Sequence, residues 1–250
     1  MDACIDHSLT LLAERASVRR FDASRPLEDE LLDRLLRIAA QAPNTGNMQL
    51  YSVVVNRGES LQKMRELHFG QPMAGECAAL LTFCADLRRF GRWCSQNRTT
   101  SGLDNMHGLL LATIDATIFA QQFVAAAELA GLGTCYLGTV TYNIEAFIAE
   151  LALPQGVVPL YSIAVGWPAA GAHTLSDRLP MEAIVHREKY RDADIAETYA
   201  AKEALPESAG FIAENGKETL AQVYAEVRYP KAMNEEISET LRRLTSYLHS

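Results

Sequence analysis

Cysteine is sparse, and what there is has no arrangement suited to chemistry. Cys4, Cys77, Cys84, Cys94 and Cys135 are odd in number, scattered, and contain no CxxC pair. That spacing excludes a disulfide framework and a zinc ribbon, and leads us to expect reduced thiols in a cytoplasmic protein. Basic excess is lacking too: 23 Lys and Arg stand against 31 Asp and Glu, a formal net charge of -8. Duplex affinity comes largely from Lys and Arg displacing condensed counterions, so we expect no nucleic-acid partner. There is no GxxxxGK[ST] loop, no HExxH and no GxSxG elbow, which removes the commonest phosphate-loop, zinc-protease and serine-hydrolase readings. His7, His68, His107, His173, His186 and His249 are far apart, so neither a metal site nor a triad has support. Residues 1 to 20 lack an apolar signal core. The longest apolar tract, Gly108 to Leu132, is broken by Asp115, Gln121, Gln122 and Glu128; each would be costly in hydrocarbon, so a buried helix is expected and no membrane span.

What is present is an ordinary globular composition of 48% hydrophobic and 22% charged residues over 250 positions, enough to bury a full core. Between Leu27 and Ala42, Leu31, Leu35, Ile38 and Ala39 follow helical spacing, acids sit at the start, and Pro43 ends the run. Leu50 to Val55 and Ala79 to Ala85 read as interior strands. The Gly108 to Leu132 tract has no broad polar face, so its helix, about 36 Å long at 1.5 Å per residue, should be a buried spine. Cys135 to Val140 and Val157 to Val165 read as strands flanking a helix at Ile144 to Leu151. Beyond Trp167-Pro168 the texture changes to loops and helices near Ile195 to Ala204, Lys217 to Val227 and Asn234 to Leu248. This gives two expected parts, residues 1–178 as core and 179–250 as a helical extension on the core or on a second subunit.

Three stretches carry possible chemistry. Arg15-Ala16-Ser17-Val18-Arg19-Arg20-Phe21 gathers guanidinium groups and a hydroxyl suited to a phosphate, or forms a solvated basic turn. Pro43-Asn44-Thr45-Gly46-Asn47-Met48-Gln49 concentrates amides that could meet a polyol or a heteroaromatic ring, or is a polar turn. Gly131-Leu132-Gly133-Thr134 has an outward likeness to a dinucleotide fingerprint. It lacks the third glycine and follows a helix instead of a strand, which disfavours a classical NAD-binding domain.

Together these stretches resemble the nitroreductase family from about Ala13 to Arg191. The first is similar to the family's Arg-Ser-x-Arg-x-Phe motif and the second to its Ala-Pro-Ser-x-x-Asn-x-Gln loop. The long apolar helix, Gly-Leu-Gly-Thr, Tyr-Leu-Gly and Gly-Trp-Pro follow in register. Thr139 stands where the family has a second glycine. The resemblance implies an α+β, three-layer α/β/α fold with a mixed, mainly antiparallel sheet and a C-terminal helical extension, in a homodimer binding FMN at its interface. It further implies Arg15, Ala16, Ser17, Arg19 and Arg178 at the phosphate and ribityl chain, and Pro43, Asn44, Thr45, Asn47 and Gln49 along the flavin. Gln71 would reach the ribityl chain or ring edge, and Leu137, Gly138 and Thr139 would supply main-chain groups near N5. Electrons would pass from NAD(P)H through flavin N5 to nitroaromatic, quinone or flavin acceptors in a ping-pong cycle, with no catalytic side chain. Arg228 is a candidate contact for the nicotinamide cofactor's phosphate. A flavin carrier or sensor, and a flavin-dependent dehalogenase or flavin-fragmenting enzyme, are the alternatives.

Overall fold

The computed structural model describes residues 3–246. In chain order it contains α1 (Ala3–Ala13), α2 (Asp29–Ala39), β1 (Tyr51–Asn56), α3 (Ser60–Leu67), α4 (Pro72–Glu76), β2 (Ala79–Asp86), α5 (Arg88–Gln96), α6 (Met106–Leu129), β3 (Gly133–Leu137), α7 (Ile144–Glu150) and β4 (Val157–Gly166). Two 3-10 turns, Thr45–Asn47 and Gly138–Tyr142, precede β1 and follow β3. After them come α8 (Met181–Ile184), α9 (Ile195–Glu203), α10 (Pro206–Glu214), α11 (Leu220–Gln222) running into a π-helical turn over Val223–Arg228, and α12 (Lys231–Ser246).

The four strands form one sheet in the order β1-β2-β4-β3, and every ladder in it is antiparallel. Among the described residues the parallel component implied by a mixed sheet is a single bridge, from Ser17, which lies outside the named strands, to Thr134 of β3. β2 is central and buried along its whole length, as a strand with covered faces must be. β1, expected in the interior, is an edge strand: Ser52, Val53 and Val54 are half-buried and Val55 is exposed. The strand expected over Cys135 to Val140 stops at Leu137, whose partner is Ser162; at Gly138 the chain leaves the ladder and coils into the 3-10 turn.

Helices cover both faces, because alternate side chains of each strand need an apolar partner. Leu81, Phe83, Ile163 and Val165 face α2 and α6, while Leu80, Ala164, Cys135 and Leu137 face α3, α4 and α7. Acidic Asp29 and Glu30 open α2 and Arg37 lies in its last turn, both favourable to the helix dipole. α6 has 24 residues and buries Ala112, Ala116, Ala120 and Ala127 beside Phe119 and Phe123. Those alanines let it lie close to the sheet, and Phe83 meets Phe119 and Phe123 at centroid distances of 5.8 and 6.4 Å. The helix is long and apolar enough to cross a membrane by composition, yet its buried stripe belongs to this core.

The chain divides into two compact units, one of residues up to Leu175 together with those from Leu241 onward, the other Ser176–Thr240. The expected boundary was 178/179. The end of α12 belongs to the first unit because Leu241 and Leu244 join an apolar cluster with Leu50, Leu109 and Ile144, and Arg243 pairs with Glu145 at 3.1 Å. The second unit is organised by caps. Asp194 accepts from the Glu197 amide at 3.0 Å, and Thr219 and Gln222 form a reciprocal capping box around buried Leu220. The single helix expected over Lys217 to Val227 starts at that cap and then widens into the π turn, closed by Tyr229 N–H donating to the Tyr224 carbonyl at 2.8 Å.

Candidate active site

The amide-rich loop is built against its own backbone preferences. Gly46, Asn47 and Gln49 all have positive φ, +55°, +58° and +53°; only the glycine adopts this freely, and a side chain there costs on the order of 1 kcal/mol. The compensation comes from Asp115 of α6, which is 1% exposed. Its Oδ1 accepts from the Thr45 amide and the Thr45 hydroxyl, both at 2.8 Å, and its Oδ2 accepts from the Leu50 amide at 3.3 Å. A buried carboxylate needs such partners. Asn44 closes the loop internally by accepting from the Gln49 amide at 3.3 Å. From outside, the Arg89 guanidinium donates to the carbonyls of Gln49 and Tyr51 at 2.6 and 2.7 Å and is held by Asp86 at 3.2 Å. Asn47, Met48 and Gln49 line an open cavity of about 840 Å³ with Tyr51, Trp93 and Phe119.

The arginine segment lies along β3. The Val18 amide donates to the Thr134 carbonyl at 2.9 Å, and Gly133 is required here because a Cβ would meet three Val18 atoms at 2.6–2.7 Å. Arg15 donates through Nε and Nη2 to the two oxygens of Glu128, each at 3.1 Å, and Glu128 also accepts from the Thr134 hydroxyl at 2.6 Å. The Glu128 hydrogen bond raises the Arg15 pKa further above its ordinary value. Arg20 donates to the Gly171 carbonyl at 2.9 Å. Arg19 and Arg20 are both exposed, and of the three arginines Arg19 is the one that makes no hydrogen bond or ion pair among the described residues. Ala16 is buried, so only its main chain is available to a ligand.

Where β3 ends, Leu137 is buried and Gly138 is exposed, with nothing within 4 Å of the place a Cβ would take. Thr139 Oγ1 lies 2.7 Å from Nδ1 of His68. His68 is fully buried, and burial pushes its pKa down to about 4. The Gln71 amide donates to the His68 carbonyl at 3.2 Å. Gln71 Oε1 and His68 Nε2 are both buried with no hydrogen-bond partner. Buried polar atoms of this kind ordinarily have one, so this edge presents a free cation, an unpartnered acceptor and main chain that can approach a flat group closely. Those features fit a phosphorylated ribityl-flavin.

Two sets of expected residues thus remain apart within one chain. Ser17, Arg19, Leu137, Gly138 and Thr139 adjoin β3, with Gln71 beside His68; Pro43, Asn44, Thr45, Asn47 and Gln49 precede β1 on the opposite sheet edge. Three strand spacings make that separation about 14 Å. Arg178 and Arg228 lie in the second unit, where Arg178 donates to the carbonyls of Ser176 and Asp177 at 3.0 and 2.9 Å and Arg228 covers the Phe211 ring at 4.9 Å. The thiols behave as core atoms: Cys77 and Cys84 are pushed up to about 12 by burial, while the Cys4 side chain and His249 lie outside the described residues. Among the described residues no three His, Cys, Asp or Glu side chains converge as for a metal.

Sequence reasoning missed Asp115, Glu128, Arg89 and His68 as parts of the site. The signal for the first two was present: an acid inside an apolar helix requires a partner, and here both were read only as interruptions.

A three-layer α+β fold carrying an arginine-and-glycine strand edge and an amide loop defines a class of small-molecule-binding enzyme scaffold. The Nitroreductase family model matches residues 12–167, and the chain belongs to that family. It is 31% identical to the FMN reductase [NAD(P)H] of Bacillus subtilis (strain 168), over 88% of this chain and 91% of that protein. It is 30% identical to the oxygen-insensitive NADPH nitroreductase of Salmonella typhimurium, over 75% and 76%. Among solved structures, a Bacteroides fragilis NCTC 9343 chain described as an inferred oxidoreductase superimposes with a TM-score of 0.90 at 42% identity, covering 95% of this chain and 97% of that one. The NfrA1 nitroreductase from B. subtilis superimposes at 0.78 with 25% identity, over 93% and 97%.

Proposed function

We propose that this chain is an FMN-dependent NAD(P)H oxidoreductase that works as a homodimer on small electron acceptors such as nitroaromatics, quinones or free flavins. The observation that carries the reading is the β3 edge, where Arg19 is uncommitted, Gln71 Oε1 is buried without a partner and Gly138 has open space beside it. The names of the FMN reductase and NADPH nitroreductase relatives support it.

When bound, FMN supplies a ring that takes a hydride from a nicotinamide and yields electrons to a second substrate. The chain's own residues bind and orient. Arg19 and the Ser17 hydroxyl hold the phosphate, and Arg15 acts through the conformation that Glu128 imposes on the segment. Gln71 Oε1 accepts a hydroxyl or ring N–H, and the Gly138–Thr139 main chain meets the ring edge. No side chain is asked to act as nucleophile or general base. Because the amide loop stands at the other sheet edge, the loop of a second copy completes each site, with Asn44, Asn47 and Gln49 offering amides and Pro43 and Thr45 shaping the approach. Arg228 is retained as a candidate contact for the phosphate of NADPH, and a reducing, cytoplasmic setting suits the buried thiols.

The test is the visible spectrum of the purified protein with added FMN, before and after anaerobic NADPH and then NADH. Retained bands that bleach with either donor support the reading and name the donor. Bands that persist unbleached favour a flavin carrier, and a protein that takes up no FMN overturns the proposal.

A further inference from the structure

His68 and Thr139 come from different elements, the end of α3 and the turn after β3, and meet through one short contact of 2.7 Å. The imidazole is fully buried, Phe147 packs against it at 4.9 Å in an edge geometry, and Nε2 has no partner. Two arrangements satisfy the contact. If the Thr139 hydroxyl donates to Nδ1, the proton on the ring sits at Nε2 and a buried N–H is orphaned. If Nδ1–H donates to Thr139 Oγ1, the orphan is an acceptor lone pair, and unmatched acceptors are the better tolerated of the two. In the second arrangement the Thr139 hydroxyl hydrogen is free to point away from His68. Thr139 is half-buried, and its neighbour Gly138 faces open space.

We propose that His68 is a positioning residue: Nδ1–H holds Thr139 Oγ1, fixes the Gly138–Tyr142 turn, and aims the Thr139 hydroxyl at an acceptor atom on the edge of the bound flavin ring. This rests on the FMN reading above. His68 touches no substrate and transfers no proton, since burial keeps it neutral to about pH 4. A donor aimed at the ring stabilises the reduced, more anionic flavin more than the oxidised one. The pair therefore sets the cofactor's potential and seating, and the choice of acceptor follows from the potential.

The experiment compares wild type with Thr139→Val, Thr139→Ser, His68→Phe and His68→Asn, all reconstituted with FMN. Oxidised FMN affinity is read by fluorescence quenching and the midpoint potential by anaerobic titration. Loss of one hydrogen bond predicts roughly three- to tenfold weaker preference for reduced FMN in Thr139→Val and His68→Phe, a downward shift of about 15 to 30 mV for a two-electron couple. Thr139→Ser and His68→Asn, which keep polar atoms at the contact, should restore most of it, and the Val/Phe double variant should be no worse than either single one. In the apoprotein, long-range ¹H–¹⁵N spectra should show His68 protonated at Nδ1 only. A Thr139→Val protein with wild-type potential, or a His68 protonated at Nε2, overturns the proposal while leaving the FMN reading intact. This holds even where His68→Phe fails to fold. A wild-type chain that takes up no FMN overturns both.

Discussion

Asp115 and Glu128 stand thirteen residues apart on α6, about 20 Å along the helix axis, and each anchors one half of the candidate site. Asp115 holds the amide loop through Thr45 and Leu50, and Glu128 holds the arginine segment through Arg15 and Thr134. A hydrogen-bonded helix packed along one stripe on the sheet is stiff, so within one chain the spacing between the two halves is fixed by the helix and not by the loops that carry the ligand-facing groups.

Replacing Asp115 by Ala should be among the most damaging single changes. Three donors lose a buried carboxylate, and positive-φ backbone at Asn47 and Gln49 loses its restraint. We expect a loss of about 3 to 5 kcal/mol in urea unfolding. Thr45→Val, which deletes only the hydroxyl contact, should cost about 1 kcal/mol. Equal effects for the two would show that Asp115 does not organise the loop.

Gly133→Ala puts a methyl into Val18, whose Cβ and both Cγ atoms lie 2.6–2.7 Å from that position. A β-branched side chain has little room to turn, so the arginine segment must move off β3. The expected cost is about 1 to 3 kcal/mol, with weaker FMN uptake. Adding Val18→Ala should recover a large part of both; a double variant no better than Gly133→Ala would place the damage elsewhere.

His68 gives a pH signature. Its pKa is about 4 when folded against 6.5 ordinarily, so between those values the unfolded chain binds a proton that the folded chain does not. Stability from this group is complete above pH 6.5 and falls as pH drops toward 4, by up to roughly 3 kcal/mol. Urea unfolding at pH 7.5, 6 and 5 should therefore show wild type losing ground relative to His68→Asn, which has nothing to titrate. A constant difference across that range would mean the imidazole is accessible to protons in the native state.

The proposed sharing of each site between two subunits can be tested by complementation. Arg19→Ala damages the β3-edge half and a combined Asn44→Ala, Asn47→Ala variant the loop half, so each homodimer should bleach bound FMN poorly with NADPH. Unfolding and refolding the two together should return up to about a quarter of the wild-type sites, because half the dimers are mixed and each of those holds one intact site. No recovery, in a mixture shown by native mass spectrometry to contain heterodimer, would place both halves in one chain.

Much of this was legible in the sequence where the signal is local. The periodicity of Leu31, Leu35 and Ala39 gave α2, the predominantly apolar character of Gly108 to Leu132 gave α6, and the order of the arginine segment, the Asn44–Gln49 loop and Gly133 to Gly138 gave the family. Each periodicity, and each motif taken singly, depends on neighbours a few residues away, which is what helical and strand spacing report. Tertiary structure alone decided that β1 lies at an edge, that Arg15 is committed to Glu128 while Arg19 is free, that His68 meets Thr139, and that the two halves of the site sit on opposite sides of the sheet. Those facts depend on pairings across 34 to 113 positions, where no periodicity links the partners and only the packed sheet brings them within bonding distance.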